Sequence, residues 1–369
     1  MDITYKRIEE ISRIFQIQGE FRSFEQITNG HINTTYRVYF FRDGEMKNYI
    51  LQRLNTYVFQ SCVDLMENII TVSEHIRTRI KSTGVTAKKR VLHYQQTADG
   101  KYYTITENGE FWRCCRYIDG SATFLKAETP FVMEEAGKAF GEFQMFLSDY
   151  PVQDLHIIIP HFHNTIMRYE TFKKALEADV ESRAEEVKET VAEYLELEDI
   201  ATQMYKKQKR GELPLRVTHN DTKCSNVLFD QNTFEHLAVI DLDTVMPGLV
   251  AFDFGDAIRA GANAAAEDER DLSKVYLDME KYEAFTKGFL GLVKDSLTDN
   301  EKETLALGAL TMTIECGVRF LTDYLDGDKY FKIEYPTHNL VRAKCQLQLA
   351  KDMLLCLDEM NEIVKKHCE

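Results

Sequence analysis

The chain has 369 residues with 45 Lys and Arg against 60 Asp and Glu, a formal charge of −15, and 44% apolar residues. That length supports a core needing no disulfide or metal staple and makes two domains the default. The acidic balance argues against nucleic-acid and anionic-membrane partners, and an amino terminus mixing Asp2, Lys6, Arg7, Glu9 and Glu10 with apolar residues does not read as a signal peptide, so a cytoplasmic protein is expected.

In the first third, Thr34 to Phe41 and Asn48 to Leu54 are rich in β-branched and aromatic residues. They flank Arg42-Asp43-Gly44, which predicts a hairpin. Leu65, Ile69, Val72 and Ile76 recur at three- and four-residue steps before Gly84, which predicts a helix from about Val63 to Ile80. Two aromatic runs, Lys101 to Thr106 and Phe111 to Ile118, complete a small sheet-dominated lobe, residues 1–118. Helices are predicted in the remainder, residues 119–369: Phe131 to Leu147, a charged stretch from Glu177 to Lys209 read as a solvated face, Tyr282 to Leu297, Glu301 to Leu325 and His338 to Lys366. No apolar run is expected to reach the ~20 residues that span a bilayer. The eight cysteines show no C-x-x-C pair and read as buried free thiols. His161 and His163, two residues apart without a nearby carboxylate motif, read as structural.

A short β-rich island interrupts the helices, at Leu215 to Thr218, Asn226 to Phe229 and His236 to Asp241. Between its strands stands His219-Asn220-Asp221-Thr222-Lys223-Cys224-Ser225-Asn226, followed twenty residues after Asp221 by Asp241, with Asp243 beyond it. H-x-D-x-x-x-x-N with a second carboxylate at the end of a hydrophobic strand is the pattern of a kinase catalytic loop. A surface turn would explain a lone H-x-D; it does not explain the full spacing, the hairpin and the second Asp together. Phosphoryl transfer needs an acceptor hydroxyl to be oriented and charge on the phosphates to be met. Asp221 suits the acceptor proton, Lys223 the γ-phosphate, and Asn226 and Asp241 offer the hard oxygens that Mg²⁺ prefers. Asp253-Phe254-Gly255 looks like a kinase D-F-G but follows the Met246-Pro247-Gly248 turn, so Asp253 and Asp256 are read as backbone acceptors near the loop. Cys224 lies inside the loop and is a candidate for thiol reagents.

These segments resemble small-molecule kinases of the aminoglycoside phosphotransferase and choline kinase type, and within them the N-acetylhexosamine 1-kinases. The resemblance spans nearly the whole chain and is carried by five blocks: Gly30 to Tyr36, Arg216 to Lys223, Ile240 to Thr244, Asp253 to Asp256 and Glu315 to Leu321. It implies an α+β, protein-kinase-like two-lobed fold with a nucleotide-binding small lobe and a helical catalytic lobe carrying the hairpin island. It also implies transfer from ATP, with Mg²⁺, to the anomeric hydroxyl of N-acetylglucosamine or N-acetylgalactosamine, by a monomer or weak homodimer.

By the same resemblance, Asn29, Gly30, His31, Asn33 and Thr34 belong to the phosphate-covering loop, with His31 a contact to phosphate or sugar. Adenine is expected against the backbone of Arg116, Tyr117 and Ile118. Gln52 stands where the family pattern has its phosphate-binding Lys, and Arg53 is aimed at the opposite face by strand alternation. Glu315, Arg319 and Tyr330 are implied as sugar contacts. Read alone, Glu315, Arg319 and Asp323 at i, i+4 and i+8 form an intrahelical ion ladder. The alternatives are another acceptor on the same fold, such as choline, an aminoglycoside or another sugar, and a nucleotide-binding scaffold without turnover, against which Asp221, Asn226 and Asp241 together argue.

Overall fold

The computed structural model describes residues 5–28 and 32–369. The small lobe is a five-stranded antiparallel sheet in the order β1-β2-β3-β5-β4. Its strands are β1 (Glu20–Ile27), β2 (Thr34–Arg42), β3 (Glu45–Arg53), β4 (Tyr103–Ile105) and β5 (Phe111–Arg116). β2 and β3 form the expected hairpin, turning at Asp43 and Gly44, both at positive φ. Strand alternation sorts the residues by face. Leu51, Trp112 and Cys114 pack with Ile8 and Ile11 of α1 (Tyr5–Ile14). Ile50, Phe111 and Cys115 pack toward α2 (Cys62–Ser82), which presents Leu65, Ile69, Val72 and Ile76.

The rest of the chain is mainly helical. β6 (Ser121–Ala122) joins β8 (Val227–Asp230) and β9 (His236–Val239) in one small sheet. β7 (Arg216–Thr218) pairs with β10 (Met246–Gly248) in another. Around this island lie α3 (Pro130–Phe146), α4 (Thr165–Ala178), α5 (Lys188–Glu196), α6 (Glu198–Ala201), α7 (Gln203–Lys209), α8 (Val250–Gly261), α9 (Met279–Val293), α10 (Asp299–Glu303), α11 (Leu305–Leu325), α12 (His338–Leu355) and α13 (Leu357–Cys368). α3 starts where Thr129 accepts the Val132 N–H and Pro130 enters the first turn, a preferred opening because the proline lacks an N–H that would be unpaired there. The core between the lobes is shared: Leu65, Ile69 and Ile76 of α2 cluster with Phe143 of α3 and with Val217, Leu242 and Val245 of the island.

Two expectations are corrected. The charged stretch from Glu177 to Lys209 is broken at Asp179 (φ 37°) and resumes as three short helices that bury Val187, Val191, Tyr194, Ala201 and Met204. The apolar residues beneath the charges, not the charges, decide its path. An apolar run of spanning length also exists: α11 is 21 residues long and apolar enough to cross a membrane, but 78% of that window is buried inside the lobe. A helix apolar on every side is a core helix when other elements surround it.

α11 lies unusually close to α8. A Cβ on Gly255 would meet the Gly308 carbonyl oxygen at 2.4 Å, and one on Gly308 would meet that of Ala251 at 2.2 Å. The glycine of Asp253-Phe254-Gly255 thus serves packing, and it sets the helix bearing Asp253 and Asp256 against the helix bearing Glu315 and Arg319.

The island hairpin is tied to α3 by a partly buried charge group. His236 Nδ1 lies 2.7 Å from Glu135 and Nε2 lies 3.4 Å from Glu142, while Lys138 also reaches Glu135 and Arg90 reaches Glu142. Burial pulls the imidazole down, but its bonds to the two carboxylates outweigh this and hold it above its usual value. Such a group stabilises fully below the unfolded value of about 6.5 and loses its contribution as pH rises through the folded value. His236→Gln is therefore expected to lower the thermal midpoint more at pH 6 than at pH 9. Equal losses at both pH values in melting curves would contradict a charged His236.

Candidate active site

The catalytic-loop residues gather at the junction of β7, the β8–β9 hairpin and α8. His219 is the pin. It is fully buried between the rings of Phe140 and Phe143, accepts the Asp221 N–H on Nδ1 (3.2 Å), and lies 2.8 Å through Nε2 from the Ile240 carbonyl. That pattern needs the Nε2–H tautomer. It ties the residue before Asp241 to the loop bearing Asp221. Asn220 and Asp241 adopt left-handed backbone angles (φ 63° and 60°), a strain that concentrates at functional sites.

α8 holds the loop from below. Asp253, 2% exposed, accepts the N–H groups of His219 (2.8 Å) and Asn220 (2.7 Å) and the Gln144 side chain (3.1 Å). Asp256 accepts the Thr222 N–H (3.1 Å) and pairs with buried Arg259 (2.8 Å). Both are backbone acceptors, as read from their position after the turn. Cys224 is corrected: it is 5% exposed and burial pushes its thiol up to about 12, so it offers little thiolate to a reagent.

The side chain of Asp221 is 29% exposed. Its carboxylate accepts from Lys223 Nζ (2.8 Å) and Asn226 Nδ2 (3.1 Å). Burial would raise it, but Lys223 above all holds it below the usual carboxylate range, so it is ionised near neutrality and accepts hydrogen bonds only. The ammonium of Lys223 has three donors, so one can stay on Asp221 while another meets a phosphate oxygen.

Asn226 spends its Nδ2 on Asp221, and its Oδ1 has no donor among the described residues. Asp241 is solvent-exposed, yet its carboxylate lies beside those of Asp243 and Asp221. Desolvation of the carboxylate, then Asp243 and Asp221, push it up to about 7. A divalent cation would relieve that crowding, and two hard oxygens, one anionic, fit Mg²⁺, which keeps most of its octahedron for water and phosphate.

Asp243 plays a different part. It is 4% exposed and joins the lobes by accepting from Arg113 Nη1 of β5 (2.6 Å) and from Asn33 Nδ2 (2.7 Å). Asn33 in turn accepts the Asn55 N–H (3.0 Å), and Thr34 accepts weakly from Arg53 (3.4 Å). Asn29, Gly30 and His31, expected in the same loop, lie outside the described residues. Gln52 bonds Thr35 and Arg113, whereas Arg53 turns to Glu110 on the other face, as alternation requires. At the exit from β5, the N–H groups of Arg116 and Tyr117 are taken by His93 and Asn48. The Ile118 N–H has no backbone partner among the described residues.

The ladder expected on α11 is not formed. Glu315 is 1% exposed and gives its oxygens to His163 Nδ1 (2.9 Å) and Thr165 Oγ1 (2.6 Å). Burial would raise its carboxyl, but the bond to His163 and the charges of His163 and Arg168 hold it below the usual range. His163 Nε2 approaches the Asn220 carbonyl at 3.4 Å, so Glu315 reaches the catalytic loop through His163. Asp323 accepts three backbone N–H groups, from Lys329, Tyr330 and Phe331. That shapes the turn which puts Tyr330, 70% exposed, 5.9 Å from the Arg319 guanidinium.

Beside them Arg168 donates to the Phe162 carbonyl (2.6 Å), while its Nε is buried without a partner. Burial and then Arg319 hold its guanidinium below its usual value. Among the described residues neither Arg168 nor Arg319 has a carboxylate within ion-pair distance. Arg113, His163 and Arg168 were not expected at the site. Arg113 left one trace, a charge amid Phe111, Trp112, Cys114 and Cys115.

A family model described as the phosphotransferase enzyme family matches residues 23–285. Among solved structures, an aminoglycoside phosphotransferase from Alicyclobacillus acidocaldarius is 10% identical, with a TM-score of 0.65 over 97% of this chain and 96% of that one. A choline kinase from Cryptosporidium parvum is 13% identical, with a TM-score of 0.55 over 93% and 92%. A spectinomycin phosphotransferase, in complex with ADP and spectinomycin, is 14% identical, with a TM-score of 0.57 over 97% and 100%.

Proposed function

The chain belongs to the phosphotransferase enzyme family, and from that premise we propose that it is an ATP- and Mg²⁺-dependent kinase for the anomeric hydroxyl of N-acetylglucosamine or N-acetylgalactosamine. Asp221 orients the C1 hydroxyl for in-line attack on the γ-phosphate and takes its proton. Lys223 keeps one donor on Asp221 and turns another to the transferring phosphoryl oxygens. Asn226 and Asp241 would hold Mg²⁺, whose chemistry is to neutralise charge on the phosphates. His219, Asp253 and Asn226 fix the loop, so that little reorganisation accompanies the transfer.

The observation that carries the acceptor is the pair of arginines without carboxylate partners among the described residues. The two antibiotic phosphotransferases and the choline kinase are named for substrates that carry amino or quaternary ammonium groups. A cationic acceptor here would meet Arg168 and Arg319, neither of which has a carboxylate within ion-pair distance among the described residues. An acetamido sugar is neutral and offers carbonyl and hydroxyl oxygens to forked donors, with Tyr330 to cover its apolar face.

Arg319→Ala is expected to raise the sugar KM by about tenfold or more and the ATP KM by less than twofold, because a lost bond to a charged donor is worth about 1.5–3 kcal/mol. Initial rates with each substrate varied in turn read this directly. Equal changes in both constants would remove Arg319 from the sugar site.

A further inference from the structure

Kinases of this architecture meet the nucleotide phosphates with a lysine on the third strand, and β3 here carries Gln52 at that place. Directly opposite Gln52 in the β3–β5 register stands Arg113. Alternation along β5 sends Trp112 and Cys114 to the α1 side, so Arg113 emerges on the other face, between Phe111 and Cys115 and above the cleft.

Its side chain is 2% exposed. Nε donates to Gln52 (3.0 Å) and Nη1 to Asp243 (2.6 Å), while Nη2 has no hydrogen-bond partner among the described residues. Burial works against the charge, but Asp243 above all favours it and keeps the guanidinium protonated. Two of the five N–H donors of the guanidinium are engaged among the described residues, and phosphate oxygens match the remaining fork in charge and geometry.

Asp243 has a second task. Through Asn33 it also holds the end of the loop between β1 and β2. Arg113 neutralises a carboxylate that would otherwise repel a polyanion two residues from Asp241. The acidic pair is thereby divided, with Asp241 for the cation and Asp243 for the arginine and the loop.

Resting on the ATP-kinase reading, we propose that Arg113, fixed by Gln52 and Asp243, is the buried cation of the nucleotide-phosphate subsite, in place of a β3 lysine. A phosphate role and a purely structural one differ in which ligand they affect. Arg113→Lys keeps the charge but loses the fork, and Gln52→Leu leaves Arg113 present but releases its Nε.

The test is equilibrium binding of ADP and of adenosine, both with Mg²⁺, to the wild-type chain and to each variant, with thermal melts alongside. ADP should weaken about tenfold or more in Arg113→Lys and severalfold in Gln52→Leu. Adenosine, which lacks phosphates, should stay within twofold in both. Unchanged ADP affinity, or equal loss of ADP and adenosine in a variant that melts like wild type, overturns the assignment. A wild-type chain that binds neither ligand overturns the kinase reading beneath it.

Discussion

Asp221→Asn is expected to lower kcat by about 10³-fold or more, with ADP affinity within about twofold of wild type, since positioned general-base residues contribute about 10²–10⁴-fold. The amide keeps the shape of the side chain, and its oxygen can still accept from Asn226. What it loses is the negative charge that draws the acceptor proton and holds Lys223 at 2.8 Å. Nucleotide affinity should persist, because Asn226, Asp241 and the lobe junction at Asp243 are untouched. Steady-state rates with a coupled ADP assay, together with calorimetric ADP titration, separate the two effects. Wild-type turnover would remove Asp221 from the chemistry.

Asp253→Ala is expected to cost about 3–5 kcal/mol of stability, because it strands three buried donors that lose one acceptor and each such donor costs about 1–3 kcal/mol. Two of the donors are the N–H groups of His219 and Asn220, so the catalytic loop loosens along with the fold. Turnover should fall about 10²-fold even where the variant is folded, the scale expected when reacting groups move by about 1 Å. Urea unfolding and kcat measured well below the variant's thermal midpoint check both parts. A stability loss under about 1 kcal/mol would show that Asp253 does not hold the loop.

The island was legible in the sequence because its chemistry depends on residues close together in the chain. The eight-residue spacing from His219 to Asn226, and Asp241 at the end of a hydrophobic strand, survive folding as a compact group. Alternation also placed Arg53 and Gln52 on opposite faces without coordinates. The remaining features depend on pairs distant in the chain. Arg113 and Asp243 are 130 residues apart, and His163 and Glu315 are 152 apart.

Nothing local marks such partners. Glu315, Arg319 and Asp323 have ladder spacing, yet Thr165 and His163 from one segment and the 329–331 backbone from another offered two of them stronger bonds than each other. The charged stretch after Glu177 misled in the same way, since its surface charges outnumber the few apolar residues that route it into the core. The length and apolarity of α11 carry equal ambiguity until its neighbours are known.

The central claim, transfer to the anomeric oxygen of an acetamido sugar, is tested most directly by ³¹P NMR of the product made from ATP, Mg²⁺ and each of a panel of acceptors. N-acetylglucosamine, N-acetylgalactosamine, glucose, choline and an aminoglycoside make a sufficient panel. The account predicts a phosphate signal coupled to the anomeric proton with the N-acetylhexosamines, and little turnover of the cationic acceptors. A 6-phosphate product, or turnover confined to choline or the aminoglycoside, would contradict it.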